Sequence, residues 1–297
     1  MRHTSLFLIS CSILLGACHG VQVETPVVQK PLQAEPTLAQ RKAALQEKKK
    51  SATQVPEVLG GIVQSDEWII YKEKEQEEFK GHVFYDNGVY TFKANYGLSE
   101  RKQNTFTATQ NVYIRQKEPQ GPTYEAWADY GRYNYKTGKG ILKSTSTQPV
   151  RLTMTDSAQT VYASARYISF DTNAQIFILT GNVYVKRTTS EGTQTLQADK
   201  ATVKQLQNYL RLDGQAKLSD EACNLEADTI IYDGERDESY AYGARPLATG
   251  SDEQGTFAII ADKVTSDAQG NVVKLDGRVQ GWIVSPELNN NKINRQF

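Results

Sequence analysis

The sequence predicts an all-β protein, an elongated and incompletely closed β-jelly-roll built from repeats. Short segments rich in Val, Thr, Ile and Tyr alternate apolar and polar residues with the period of two that marks half-buried strands. Two short motifs recur in strict alternation over residues 61–286. Motifs repeating every 20 to 50 residues indicate stacked supersecondary units. Counting both motifs, we expect roughly twelve or thirteen strands.

The first motif has a glycine, or a residue in its place, two positions before an apolar residue. It falls at Gly81, Gln110, Gln148, Gly181, Gly214, Gly243 and Gly277. The second motif has an inward-facing alanine, at Ala94, Ala128, Ala165, Ala198, Ala227 and Ala261. A glycine in the middle of a strand marks a bulge or a bend. Each repeat is therefore predicted to be two strands, the first bent at its glycine.

The apolar residues of these strands share one face and are predicted to line a common interior. We expect this interior to form a lipid groove lined by Phe177, Leu179, Val183, Val185, Leu196, Ala198, Leu210, Leu212, Ala216, Leu225, Ala227, Ile259, Ala261, Leu275 and Val279. The small alanines leave room where leucine would fill the space. Close packing of the two sheets is the alternative explanation for them.

The first 17 residues are predicted to be an export signal. A basic start precedes the apolar run Leu6 to Leu15, which is too short to span a bilayer as a mature helix. The run ends in Leu15-Gly16-Ala17-Cys18, which resembles the bacterial lipobox, in which the cysteine is diacylated. Two or more acyl chains anchor a protein stably. By the same resemblance, His19 after the cysteine favours the outer membrane. An ordinary cleaved signal is the alternative.

Residues 18–60 are predicted to be a flexible linker that follows the lipid anchor at Cys18. Pro26, Pro31, Pro36 and Pro56 punctuate it, and it has no strand period. The jelly-roll is expected over residues 61–286, and residues 287–297 form a C-terminal tail. Such a linker lets the folded part lie away from the membrane.

Charge and motif content exclude several function classes. The chain has 34 Lys and Arg against 34 Asp and Glu, so it has no basic footprint for nucleic acid. Only three histidines occur, and no Cys/His cluster has the spacing of metal ligands. No G-x-S-x-G nucleophile elbow is found. We therefore expect no catalytic residues, no metal and no cofactor, and a protein that is not an enzyme.

One ladder of carboxylates leaves an enzymatic alternative open. Asp129, Asp199, Asp228 and Asp262 share one repeat register. Stacked carboxylates can act as an acid/base pair in a carbohydrate-cleaving solenoid, provided that they face each other across a cleft. The alternative is a solvated outer face interleaved with Lys200 and Lys263.

A group of aromatic residues leaves a second alternative open. Tyr96, Trp127, Tyr130, Tyr133 and Tyr135 lie close together in the sequence. They could form a sugar-stacking patch, and packing within the sheet is the alternative.

At the repeat motifs the sequence resembles the OstA-like family of lipopolysaccharide-transport proteins, which includes LptA- and LptC-type periplasmic jelly-rolls. The resemblance is clearest between Ala163 and Tyr232. It is carried by residues 165–170 (ARYISF), 179–183 (LTGNV), 198–200 (ADK), 212–214 (LDG) and 227–228 (AD). It implies a β-jelly-roll with a V-shaped, incompletely closed section. Such a jelly-roll holds the acyl chains of lipopolysaccharide in its interior and pairs edge to edge with neighbouring jelly-rolls.

This resemblance implies a non-enzymatic lipid carrier or bridge in the periplasm of a Gram-negative cell. The lipobox and the linker depart from the family's soluble and helix-anchored members, so the protein would be a lipoprotein variant carrying palmitate or a similar chain. Expected partners are lipopolysaccharide, other Lpt-type jelly-rolls and, through Cys18, the membrane. A structural lipoprotein scaffold with a dry, packed core is the alternative.

Overall fold

The computed structural model describes residues 61–117, 121–144, 148–190, 192–221, 223–252, 255–267 and 272–284. These residues form twenty β-strands and two short 3-10 turns. The strands are β1 (Ile62–Gln64), β2 (Glu67–Tyr71), β3 (Gln76–Asp86), β4 (Tyr90–Glu100), β5 (Thr105–Lys117), β6 (Thr123–Asn134), β7 (Lys139–Lys143), β8 (Val150–Thr155), β9 (Gln159–Ala165), β10 (Tyr167–Asp171), β11 (Ile176–Thr189), β12 (Gly192–Lys204), β13 (Tyr209–Ser219), β14 (Cys223–Asp233), β15 (Glu238–Tyr242), β16 (Leu247–Asp252), β17 (Gly255–Ile260), β18 (Lys263–Asp267), β19 (Val273–Asp276) and β20 (Gln280–Val284).

The predicted all-β class is confirmed, and the glycine motif marks a bend in the strands. In β11, Gly181 and Asn182 have φ of 82° and 50°, and the pairing register with β12 shifts between Thr180 and Val183. Two consecutive left-handed residues turn the strand sharply, and glycine takes that conformation without steric cost. Positive φ occurs at five other positions of the glycine motif, namely Gly81, Gln110, Gly214, Gly243 and Gly277.

Gln148 lies in the connection between β7 and β8. Across the described ranges, eight strands run unbroken through a bend, and the other twelve form six pairs that are split at it. The chain therefore crosses the bend fourteen times. The two sequence motifs predicted thirteen of these crossings. The fourteenth lies between β1 and β2, where Ser65 stands in the place of the alanine of the second motif.

The bends divide the strands into two layers. Layer A contains β1, β8, β9, β16, β17, β20 and the halves of the long strands that pair with them. Layer B contains β2, β7, β10, β15, β18, β19 and the other halves. All pairings are antiparallel. In the described part of the chain the layers join at the bends and their far rims consist of turns, which gives the V-shaped section.

The core lies between the layers, in rows of inward side chains that cross every strand. One layer-B row runs through Phe79, Gly97, Ala108, Gly131, Leu142, Ile168, Leu179, Ala201, Leu212, Ile230, Ala241, Val264 and Leu275. Most of its members between the two ends are buried. A layer-A row runs through Tyr85, Phe92, Ile114, Ala126, Leu152, Ala163, Val185, Leu196, Leu218, Leu225, Ala248 and Ile259.

A longer repeat of about 100 residues is superimposed on the strand pairs. Strands β2 to β9 recur in the same order and pairing as β10 to β17, and β18 to β20 begin a further copy. Both 3-10 turns, Arg101–Gln103 and Gln205–Gln207, end in a left-handed asparagine, Asn104 or Asn208. We call β2–β9 the first repeat and β10–β17 the second repeat. The sequence motifs did not reveal this period of about 100 residues, because the same two motifs occur in every strand pair.

Several predictions concern residues outside those that the structure describes. These are the signal over residues 1–17, the lipidated Cys18, the linker to residue 60 and the tail over residues 287–297. In the described ranges, no helix is long and apolar enough to cross a membrane.

Candidate functional site

The predicted lipid-groove residues collect in the interior between the two layers. Those that are buried in one contiguous cluster are Leu179, Val183, Val185, Leu196, Ala198, Leu210, Leu212, Ala216, Leu225, Ala227 and Ala261. Phe177 and Leu275 are half-buried and pack against the cluster, and Ile259 is half-buried in β17. The period-2 alternation of the sequence thus assigned these side chains to the correct face.

Val279 is the exception, because it is exposed whereas the other predicted groove residues are buried or half-buried. Its side chain is 48% exposed and lies outside any strand, between β19 and β20. The equivalent residues Val183 and Ala216 are buried because a further strand covers each of them on either side. Among the described strands, β19 and β20 end the stack, so nothing covers Val279.

Side chains fill the middle of the interior. Leu212 and Leu218 have no exposed surface, and neither do Ala165 and Ala241. Ala165 is the alanine of the second motif at the bend between β9 and β10, so its small side chain lies in a closely packed part of the core. The interior at mid-length is apolar and densely packed.

The interior opens at the N-terminal end of the stack. Trp68 and Ile70 on β2 face inward, opposite Phe79 and Glu77 on β3, yet they are 50% and 58% exposed. They line a cavity of about 300 Å3 together with Arg101, which forms an ion pair with the buried Glu77. This opening combines an apolar wall with paired charges.

The C-terminal end of the stack is also open. Val273 on β19 and Trp282, Ile283 and Val284 on β20 are all exposed. Val273 continues an inward row that starts at Ile70, and Leu275 continues the row that starts at Trp68. The apolar interior therefore extends to both ends, and each end exposes strands that have no neighbour on one side in the described part of the chain. The sequence motifs located the interior, but they did not indicate that exposed apolar residues are concentrated at its ends.

The aspartates of the predicted ladder lie beside the bends of the strands. The Asp262 amide donates to the Gly277 carbonyl at 2.9 Å, and its carboxylate accepts from Arg278 at 2.8 Å, which lowers the pKa of Asp262. Asp199 and Asp228 are exposed on the outer face, beside Gly214 and Gly243 of the next bend.

The Asp129 carboxylate on β6 accepts a hydrogen bond from the Ser144 hydroxyl at 2.8 Å. Ser144 lies in the connection between β7 and β8, which takes the place of a bend in a continuous strand. Each ladder aspartate thus lies beside a bend or its replacement, and the carboxylates do not face each other across a cleft. This arrangement favours the outer-face interpretation over an acid/base pair. In the described residues, no group of three or more His, Cys, Asp or Glu could hold a metal ion.

The five aromatic residues predicted as one possible patch are separated. Tyr133 lies in an inward row and stacks on Phe170 at 6.1 Å, whereas Trp127 lies on the outer face of layer A. Tyr130 stacks with Lys143 on layer B, and Tyr135 is exposed in the turn after β6. Tyr96 donates to Glu78 at 3.0 Å, also on layer B. A single five-residue patch is therefore wrong, because consecutive strand residues point to opposite faces.

Comparisons with family models, curated proteins and solved structures differ in outcome. No family model matches the chain, and no curated protein matches it. Among solved structures, the crystal structure of LptH from Pseudomonas aeruginosa is similar at 16% sequence identity with a TM-score of 0.35. LptH is described as the LptA homologous periplasmic component of the conserved lipopolysaccharide transport device. The similarity covers 42% of this chain and 84% of that chain.

Proposed function

We propose that this protein is a non-enzymatic lipid carrier or bridge of the Gram-negative cell envelope. Its interior would bind the acyl chains of lipopolysaccharide or a related lipid. The observation that carries the proposal is the continuity of one apolar row, which runs from Trp68 at one end of the interior to Leu275 at the other. Leu179 and Leu212, which belong to the motifs that resemble OstA-like proteins, lie on this row.

Acyl binding requires an apolar path that a chain can enter. Burial of apolar surface contributes about 25 cal/mol per Å2, so a few exposed side chains at an opening supply useful affinity. Trp68 and Ile70 provide such surface at the N-terminal opening, and Val273 provides it at the C-terminal one. The packed middle would have to part along the V-shaped section, whose rims are joined by no backbone pairing between the described strands.

The exposed terminal strands suit edge pairing with neighbouring jelly-roll proteins. An unpaired strand presents a row of backbone donors and acceptors that a partner sheet can take up. In both terminal pairs, one strand belongs to each layer, so a partner could extend both layers together. The exposed apolar residues at both edges would be covered by this pairing.

Binding can be tested by incubating the purified full-length protein with lipopolysaccharide and measuring the lipid that co-elutes in gel filtration. We expect Leu275→Lys, which places a charge on the inward face, to reduce the bound lipid at least tenfold. The neighbouring Lys274 points outward on the same strand, so Lys274→Gln should leave binding unchanged. No co-elution, or an equal effect of both substitutions, would contradict the proposal.

We also propose that the protein is periplasmic and anchored through lipidated Cys18 to the outer membrane, because His19 follows the cysteine. Two or three acyl chains would hold it stably. Labelling cells with radioactive palmitate tests the anchor. Label should be lost on Cys18→Ser substitution while the protein is still exported, and label that survives the substitution would refute the anchor.

A structural scaffold is the second candidate, and the dense middle of the interior favours it. Leu212 and Leu218 are fully buried, and a dry core of this kind needs no ligand to be stable. The two functions differ in one observable. A scaffold would hold protein partners at its edges and bind no lipid when Leu275 is intact.

A further inference from the structure

The outer face of layer A carries a row of alternating aromatic and cationic side chains. Cross-strand pairing aligns Phe84, Lys93, Tyr113, Trp127 and Arg151 on five neighbouring strands. The row faces away from the interior, since the adjacent residues Phe92, Ile114 and Ala126 belong to an inward row. It is therefore separate from the proposed lipid groove.

The side chains of this row contact one another. The Lys93 ammonium lies 6.0 Å from the Phe84 ring centre and 5.7 Å from that of Tyr113. The Tyr113 and Trp127 rings are 5.5 Å apart, and the Arg151 guanidinium is 5.5 Å from Trp127. Lys93 and Arg151 remain exposed, and the three rings are half-buried. The result is an outer surface that combines three aromatic rings, tilted against one another, with two positive charges.

The second repeat shows that the fold does not require this row. Its equivalent positions on β11, β12, β13, β14 and β16 hold Tyr184, Gln197, Lys217, Glu226 and Leu247. After the first position it contains no aromatic residue, and its cation forms an ordinary ion pair, Lys217 with Glu226 at 2.7 Å. Packing needs common to both repeats therefore do not explain the aromatic row of the first.

A shallow cavity of about 190 Å3 adjoins the row where β7 and β8 separate. Asn111, Trp127, Asp129 and Arg151 are among its lining residues. The cavity thus offers an aromatic ring, a guanidinium and amide and carboxylate oxygens within one site. Beside it, Glu125 accepts from Tyr113 at 2.6 Å, which fixes the ring that neighbours Trp127.

We infer that this outer surface binds an anionic saccharide. Ring faces carry negative charge and attract the C–H groups of a sugar, and arginine pairs with carboxylate or phosphate groups. Carboxylate oxygens such as those of Asp129 accept hydrogen bonds from sugar hydroxyls. Five strands at about 4.8 Å spacing extend roughly 19 Å, which suits a short oligosaccharide. This inference does not depend on lipid binding in the interior.

Calorimetric titration of the purified full-length protein tests the inference. The probes are a tetrasaccharide of glucuronic acid, a neutral glucose tetrasaccharide, inorganic phosphate and a short oligothymidylate. We expect the glucuronic acid tetrasaccharide to bind, and the other three to bind at least tenfold more weakly. Equal or tighter binding of phosphate alone, of the neutral sugar or of the oligothymidylate would overturn the inference, and so would a lack of binding by the charged sugar.

Variants locate the site. Trp127→Leu keeps an apolar side chain in the row, and Arg151→Gln removes only the charge, so both variants should fold. Each should bind the glucuronic acid tetrasaccharide at least tenfold more weakly than the natural protein does. Lys217→Gln, at an equivalent row position in the second repeat, is the matched control and should leave binding unchanged. Circular dichroism melting establishes that each variant is folded. An equal loss in Lys217→Gln, or no loss in either of the other two folded variants, would contradict the assignment.

Discussion

Asp199 lies directly against Gly214, the glycine of the next bend, and leaves no room for a side chain there. A Cβ added to Gly214 would lie 2.8 Å from the Asp199 Cβ. Gly214 also has φ of 77°, a conformation that other residues adopt only at a cost. The two motifs of the sequence, glycine and alanine-aspartate, are thus the two sides of one contact between neighbouring strands.

This contact predicts a graded stability series. Gly214→Ala should destabilise the protein by about 2–4 kcal/mol, since strain and overpacking add. Gly88→Ala is the control, because Gly88 has φ of 85° but no atom within 4 Å of the added Cβ, and it should cost only about 1 kcal/mol. Urea unfolding measures both. Asp199→Gly should restore part of the loss in Gly214→Ala, and equal costs at Gly214 and Gly88 would contradict the contact.

The marker alanines predict intolerance to larger side chains. Ala165 has no exposed surface, so Ala165→Leu should destabilise the fold by about 1–3 kcal/mol through overpacking. Thermal melting measures the effect, with Ala244→Leu at an exposed bend position as the control for the added leucine. If Ala165→Leu is as stable as the natural protein, the interior holds open space at the alanines and the groove extends through the middle.

Asp213 predicts a pH dependence of stability. Its hydrogen bond with Arg211, at 2.8 Å, lowers the pKa of the Asp213 carboxyl. A carboxyl with a lowered pKa in the folded state stabilises the protein above its unfolded pKa of about 4, and this contribution is lost as the pH falls through the folded pKa.

Urea unfolding of the natural protein and Asp213→Asn at pH 7 and pH 3 checks this dependence. The two should differ at pH 7, by no more than about 1 kcal/mol because the pair is partly exposed, and the difference should shrink at pH 3. A difference that is the same at both pH values would show that the charge of Asp213 contributes nothing.

The N-terminal edge predicts loss of partner binding without loss of the fold. Trp68→Lys together with Ile70→Lys places charges on exposed, inward positions of β2, where a partner sheet would cover them. Light scattering of mixtures with a purified LptA-type protein should detect a complex for the natural protein and none for the double variant. Tyr135→Lys, in an exposed turn, is the control. A complex that survives the double substitution would contradict edge pairing at this end.

Much of this architecture was predictable because strand bends require particular residues. Glycine marked the bends at Gly181 and Gly214, and alternation placed Leu179 and Leu212 inside, since both signals are local. The first crossing escaped prediction because Ser65 stands where the motif has alanine. The exposure of Val279 was not predicted, because burial depends on a neighbouring strand, which no local pattern reports.

The candidate sites depended more strongly on tertiary structure. The row from Phe84 to Arg151 joins residues of five strands, and only the pairing register brings them together. The sequence supplied Trp127 but grouped it with Tyr133, which points inward. The exposure of Trp68 and Ile70 likewise follows from their position at the end of the stack, because the same alternation is buried elsewhere.

Photo-crosslinking in living cells tests the central claim, that the interior carries lipid. A photoreactive residue would replace Leu275 at the opening or Leu179 and Leu212 deeper inside, with outward-facing Lys274 as the control. The carrier function predicts lipopolysaccharide adducts from Leu275, fewer or equal amounts from the deeper positions and none from Lys274. Adducts with protein alone at all three inward positions, in variants that are exported and folded, would contradict it.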